Sequence, residues 1–140
     1  MANDNGLRST LAAFDRVRFA AREAANQSLQ KSADELASGM RAMVPVDSGD
    51  LKKSIAVTPP GQSTPPHSQP GGSRVAGDAE FIVTAGNSDV RYPHHVEYGT
   101  VKMEASPYFW PIYWLLRNRI RTRTNRDIKK AMRDAWKGKR

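Results

Sequence analysis

His94, His95 and Glu97 fall within the stretch HHVEYGT at residues 94–100. Imidazoles beside a carboxylate are the side chains that hold zinc or act as general bases. Their spacing argues against either use. The run VRYPHHVEYGT alternates Tyr92, His94, Val96 and Tyr98 with Pro93, His95 and Glu97, as the two faces of a strand do. Its proline marks an edge or the start of that strand. Adjacent histidines would then point to opposite faces, whereas helical zinc histidines sit four apart, as in HExxH. The third histidine, His67, lies in a distant proline-rich stretch. Ser48 and Ser54 lack a GxSxG setting, and no glycine-rich phosphate loop occurs. The residues therefore predict no catalytic, metal or cofactor site and no enzyme; HHVEYGT reads as architecture.

The elements that would carry this motif follow from periodicity. Leu7, Leu11, Phe14, Ala21, Ala25, Leu29, Ala33, Leu36, Met40 and Met43 recur at three- and four-residue steps, predicting one helix over 7–43 that Val44-Pro45 stops. VPVDSGDLKKSIAV reads as a turn leading to a strand near Ser54–Val57, with Asp47 and Ser48 bonding backbone amides and Gly49 allowing a positive φ. Residues 58–73 hold five prolines and three glycines, which predicts a mobile loop unable to join a ladder or helix. Phe81, Ile82 and Val83 form a second strand core, turned by Gly86-Asn87. Pro111 suits the first turn of a last helix buried along Ile112, Leu115, Leu116, Ile120, Ile128, Ala131, Met132, Ala135 and Trp136. The basic run RNRIRTRTNR is expected to thin or break that helix near Thr122–Asn125. The fold class is thus α+β, one domain over 1–140: a long N-terminal helix, a small antiparallel sheet with a long Pro-rich loop, and a long C-terminal helix with a basic helix or tail at 121–140.

Composition narrows the function classes. The 140 residues contain no cysteine, which excludes disulfides and thiolate metal sites. No run of 18 apolar residues occurs, so no membrane span is expected. The opening MANDNGLRSTLAAF lacks a basic start and apolar stretch, so export is not expected. Of the net charge of +8, the segment 113–140 contributes +9, from eleven Lys/Arg against Asp127 and Asp134; the rest carries eleven bases and twelve acids, or −1. The imbalance is local and calls for a local explanation.

Three landmarks occur in order: VPVDSGDLKKSI, YPHHVEYGT and ASPYFWPIYW. Together they resemble the tail-completion, or neck, family of long-tailed bacteriophages, the lambda gpZ-like minor tail proteins. Pro45, Val46, Asp47, Gly49, Leu51, Ser54 and Ile55 match the family's first motif. Tyr92, Val96, Glu97, Gly99 and Thr100 match the second, and Pro107, Phe109 (or Tyr108) and Pro111 the third. Ser48 stands where the family usually has Thr, and Pro93 where it has Ala. The resemblance implies a structural virion protein, assembled in the bacterial host cytoplasm, forming a six-fold ring at the head–tail junction. Its implied partners are further copies of itself, head-closure or connector proteins, and tail-terminator or tail-tube proteins. Tail-terminator and head-closure rings are the neighbouring alternatives. Asp47 and Gly49 would set a helix-to-strand corner, and Glu97, Tyr98, Gly99 and Thr100 the exit from an edge strand, with Glu97 free to pair with a basic group on a neighbour.

The basic C-terminus lies outside these motifs. Arg117, Arg119, Arg121, Arg123, Arg126, Lys129, Lys130 and Arg133 would face packaged double-stranded DNA, meet an acidic ring, or form a solvated helix face. The alternative of another class is a small basic nucleic-acid-binding protein. Against it, Tyr108–Trp114 precede the arginine run and are not interleaved with it.

Overall fold

The computed structural model describes residues 6–45 and 49–138. Six elements follow in order: α1 (Leu7–Met43), α2 (Asp50–Ser54), β1 (Ala56–Thr58), β2 (Ile82–Thr84), α3 (Pro93–Tyr98) and α4 (Trp110–Trp136). This is the α+β arrangement expected from periodicity, two long helices around a small antiparallel sheet. Val46, Asp47 and Ser48, on which the predicted corner partly rested, lie outside the described residues.

α1 and α4 form an antiparallel hairpin. Gly39 of α1 meets Ile112, Ser28 meets Thr124 and Arg16 meets Ala135, so ascending α1 means descending α4. Small side chains set the closeness: a Cβ placed on Gly39 would lie 2.9 Å from Ile112 Cγ2. Where the stripe turns polar the helices still bind. Arg123, only 8% exposed, donates to Ser32 Oγ at 3.3 Å and to Glu35 at 2.8 Å. These inward contacts keep α4 unbroken through Thr122–Asn125, where a break was expected.

The core lies at one end of the hairpin. Ala37, Met40 and Val44 from α1 pack with Leu51, Ile55, Ala85, Val90, Tyr108 and Phe109. β1 and β2 pair antiparallel with Val57 opposite Val83, and Arg41 Nη2 fastens α1 to the Ile55 carbonyl at 2.8 Å. The far end is bare. Leu7, Leu11 and Phe14 are each more than half exposed, because α4 ends opposite Phe14 and leaves the first turns of α1 uncovered. Leu115 and Trp136, predicted to be buried, are 73% and 56% exposed.

The proline-rich segment does make ladder contacts, contrary to expectation. Ser63 bridges Val75 and Gln69 bridges Ala85. The donors are Gly61, Thr64, Gln69, Ala76 and Ala85, none of them a proline. Thr64 Oγ1 accepts the Arg74 amide at 2.9 Å, and Ser68 is fully buried. Prolines interrupt a ladder only where an N–H is needed, and here they fall between the donating positions.

Candidate assembly site

The stretch predicted as an edge strand is a helix. α3 starts on Pro93 and ends at Gly99, whose φ of 77° and ψ of 172° belong to glycine. Proline fits the first turn because its missing N–H costs nothing there. The buried residues are Pro93 and Glu97, four apart on one helical face, rather than alternate residues. A Cβ on Gly99 would lie 2.8 Å from the Ala105 nitrogen, and one on Gly86 2.7 Å from Pro93 Cγ. Both glycines of the corner therefore permit close backbone packing that no other residue allows.

Glu97 is the centre of this corner. It is 6% exposed, and its carboxylate accepts the backbone amides of Tyr108 at 2.8 Å, Phe109 at 2.9 Å and Trp110 at 3.1 Å. Those amides open α4 and have no helical acceptor of their own. A carboxylate there also meets the positive end of the helix dipole. The sequence resemblance puts Glu97 at the exit from a strand, free for a neighbour's cation. Both oxygens are instead committed within the chain, and Glu97 clamps α3 to the start of α4. Burial, with the Glu97 carboxylate nearby, raises the Tyr108 phenol well above its usual value. Its hydroxyl donates to the Pro93 carbonyl at 3.4 Å.

The first motif joins the same corner. Gly49, at φ 82°, precedes α2, and its carbonyl accepts the Lys53 amide at 3.0 Å. Leu51 and Ile55 enter the core, while Pro45 is exposed. Buried Ser54 donates to the Leu51 carbonyl at 2.6 Å and accepts the Gly86 amide at 2.9 Å. It thereby ties α2 to the turn that precedes α3. Pro107 is exposed, and Phe109 is buried edge-on to Tyr108 and Trp110.

Beyond Gly99 the motif becomes a protruding turn. The Thr100 amide donates to the Met103 carbonyl at 2.8 Å, which leaves Val101 fully exposed at the tip. Tyr98 is 67% exposed beside it. His94 and His95 are exposed with ring centroids 3.9 Å apart, because successive helical positions are turned by about 100° where those of a strand are turned by about 180°. Among the described residues no three His, Cys, Asp or Glu come together as metal ligands would.

The basic residues of α4 do not share one face. Arg117, Arg121, Lys129 and Arg133 are exposed, Arg126 lies 3.4 Å from Asp127, and Lys130 lines a groove against α1. Arg119 reaches Glu35 at 3.6 Å. Arg123 faces inward and is taken up by Glu35 and Ser32, so it leaves the set of outward contacts. Sequence reasoning missed this buried pair, the Glu97 clamp and the Ser54 link. The amphipathic phase of α4 places Arg123 on the face of Leu116 and Ile120, and that phase was the available signal.

The motif residues of this corner are spent on holding elements together, on a body rich in uncovered apolar side chains. The family model described as "Bacteriophage HK97-gp10, putative tail-component" matches residues 8–99, well over half of the chain, and the chain belongs to that family. Membership makes it a tail-related structural component of a bacteriophage, implies a non-enzymatic role and points to the virion. No curated protein and no solved structure matches the chain significantly.

Proposed function

We propose that this chain is a tail-completion subunit of the neck, forming a homo-oligomeric, six-fold ring between the head-side connector and the tail. The supporting observation is its surface. Among the described residues fifteen large apolar side chains are exposed, including Leu7, Leu11 and Trp136 at one end of the hairpin and Tyr98, Val101 and Leu115 at the other. Leu7, Leu11 and Phe14 follow at helical steps and Phe14 meets Trp136 at 5.8 Å, and exposed apolar side chains gathered in this way mark interaction sites. The two ends differ in composition, as head-side and tail-side contacts of one ring would. Partners on this reading are head-closure or connector proteins on one side and tail-terminator or tail-tube proteins on the other.

Deleting the gene should give filled heads and complete tails that fail to join, and a cryo-EM map of assembled particles should show a ring of this fold at the junction. Normal joining without the chain refutes the proposal. A tail-terminator or head-closure ring would instead appear as density one layer toward the tail or the head.

The exposed cations Arg117 and Arg121 support a second contact, sequence-independent and salt-sensitive, with packaged double-stranded DNA. Retardation of random duplex that disappears by about 0.2 M salt is expected. No shift at low salt removes the DNA contact, and with it the reading as a nucleic-acid-binding protein.

A further inference from the structure

The last third of α4 presents two faces of opposite character. Asp127, Lys130, Ala131 and Asp134, at steps of three, four and seven, line an open groove of about 970 Å³ against α1. The α1 wall supplies Phe19, Ala20, Glu23 and Ala24, with Phe19 70% exposed. Asp127 and Asp134 are the only two acids in the strongly basic segment 113–140, and both lie here. With Glu23 they make three carboxylates in the lining against Lys130 and Arg16, and Asp127 also lies 3.4 Å from Arg126. The second face carries Lys129, Met132, Arg133 and Trp136 at the same spacing, all exposed, with Met132 at 40% and Trp136 at 56%. One surface is concave and apolar and holds the carboxylates of the segment; the other is apolar and carries only cations. They occupy the same length of the same helix.

We propose that the groove receives the Lys129–Trp136 face of α4 from a second copy of this chain. Met132 and Trp136 of the neighbouring copy seat over Phe19, Ala20 and Ala24, while its Lys129 and Arg133 pair with Glu23, Asp127 and Asp134. Two different surfaces at one height give a heterologous contact that repeats by rotation and closes into a ring. Opposite charge on the two sides fixes partner and register. The inference rests on the ring reading and names the contact that makes the ring.

The absence of cysteine gives a clean test. Chains carrying Ala20→Cys and chains carrying Met132→Cys, mixed and oxidised, should form the mixed disulfide dimer, with each variant alone giving at least ~10-fold less. A predominant Ala20→Cys self-dimer would mean a two-fold contact and overturn the proposal. In parallel, Asp127→Lys/Asp134→Lys and Lys129→Glu/Arg133→Glu should each weaken self-association at least ~10-fold by sedimentation, and all four together should restore it to within ~3-fold. Circular dichroism verifies that each variant folds. Rings that form without the mixed disulfide overturn this contact and leave the ring standing. A chain that stays monomeric to ~1 mM overturns both.

Discussion

Glu97 offers the sharpest test of the corner. Glu97→Ala removes the acceptor of three backbone amides, at 2.8, 2.9 and 3.1 Å, of which those of Tyr108 and Phe109 belong to buried residues. A buried donor left unsatisfied costs about 1–3 kcal/mol. The Trp110 amide lies nearer the surface and can recruit water, so the total comes to roughly 3–5 kcal/mol. Glu97→Gln keeps one acceptor oxygen but turns an NH₂ toward an amide and removes charge from the start of α4, costing roughly 1–3 kcal/mol. For a chain of this size about 3 °C of melting temperature goes with each kcal/mol, so Glu97→Ala should melt about 10–15 °C lower. Urea unfolding followed by circular dichroism gives the free energies, and Glu97→Gln remains measurable if the alanine variant fails to fold. A Glu97→Ala protein within ~1 kcal/mol of the parent refutes the clamp.

The other predictions concern strain, the interhelical pair and two titrations. Gly99→Ala should cost roughly 2–4 kcal/mol in the same urea assay, because its φ of 77° and ψ of 172° exclude a Cβ and the Ala105 nitrogen would lie 2.8 Å away. Arg123→Ala should cost roughly 1–3 kcal/mol while the exposed Arg121→Ala stays within about 0.5 kcal/mol, a contrast that would vanish if both residues only faced outward. Glu80 is held below the usual carboxylate range by the Gly77 amide and the Arg74 guanidinium. Its tie is therefore present above the ordinary value and lost as pH falls through the lowered one. An NMR titration should find its midpoint depressed, and Arg74→Ala should recover part of the shift. Tyr108, raised by burial, contributes stability fully below the ordinary tyrosine value near 10 and loses it at higher pH. The parent should lose stability in alkali more steeply than Tyr108→Phe.

The long helices could be read directly, because ten apolar residues of α1 keep a helical period for 37 residues and Val44-Pro45 ends it. α3 could not. Over six residues, PHHVEY fits a period of two as well as 3.6, and β-branched Val96 with aromatic Tyr98 favours the strand. What decided the matter was tertiary: Pro93 packs on Gly86, and Glu97 reaches amides 11–13 residues later. A carboxylate satisfied by backbone groups leaves no side-chain partner in the sequence to reveal it. Arg123 was hidden for a related reason. Composition placed it among outward cations, whereas Glu35, 88 positions away, draws it inward. The candidate-site residues were thus recognisable as a motif well before their physical roles could be assigned. Asp47 of that motif lies outside the described residues.

The uneven lengths of the two helices have an energetic consequence. Residues 7–13 of α1 run on for about 10 Å past the level where α4 stops. Full coverage of a leucine is worth about 1.5–3 kcal/mol, and here Leu7 and Leu11 remain more than half in water. The solitary chain thus forgoes that gain, which falls due only when another molecule lies along the protruding rod. Multiplied around the ring proposed above, so small an increment per copy would become a steep threshold, below which the copies stay apart and above which they commit together.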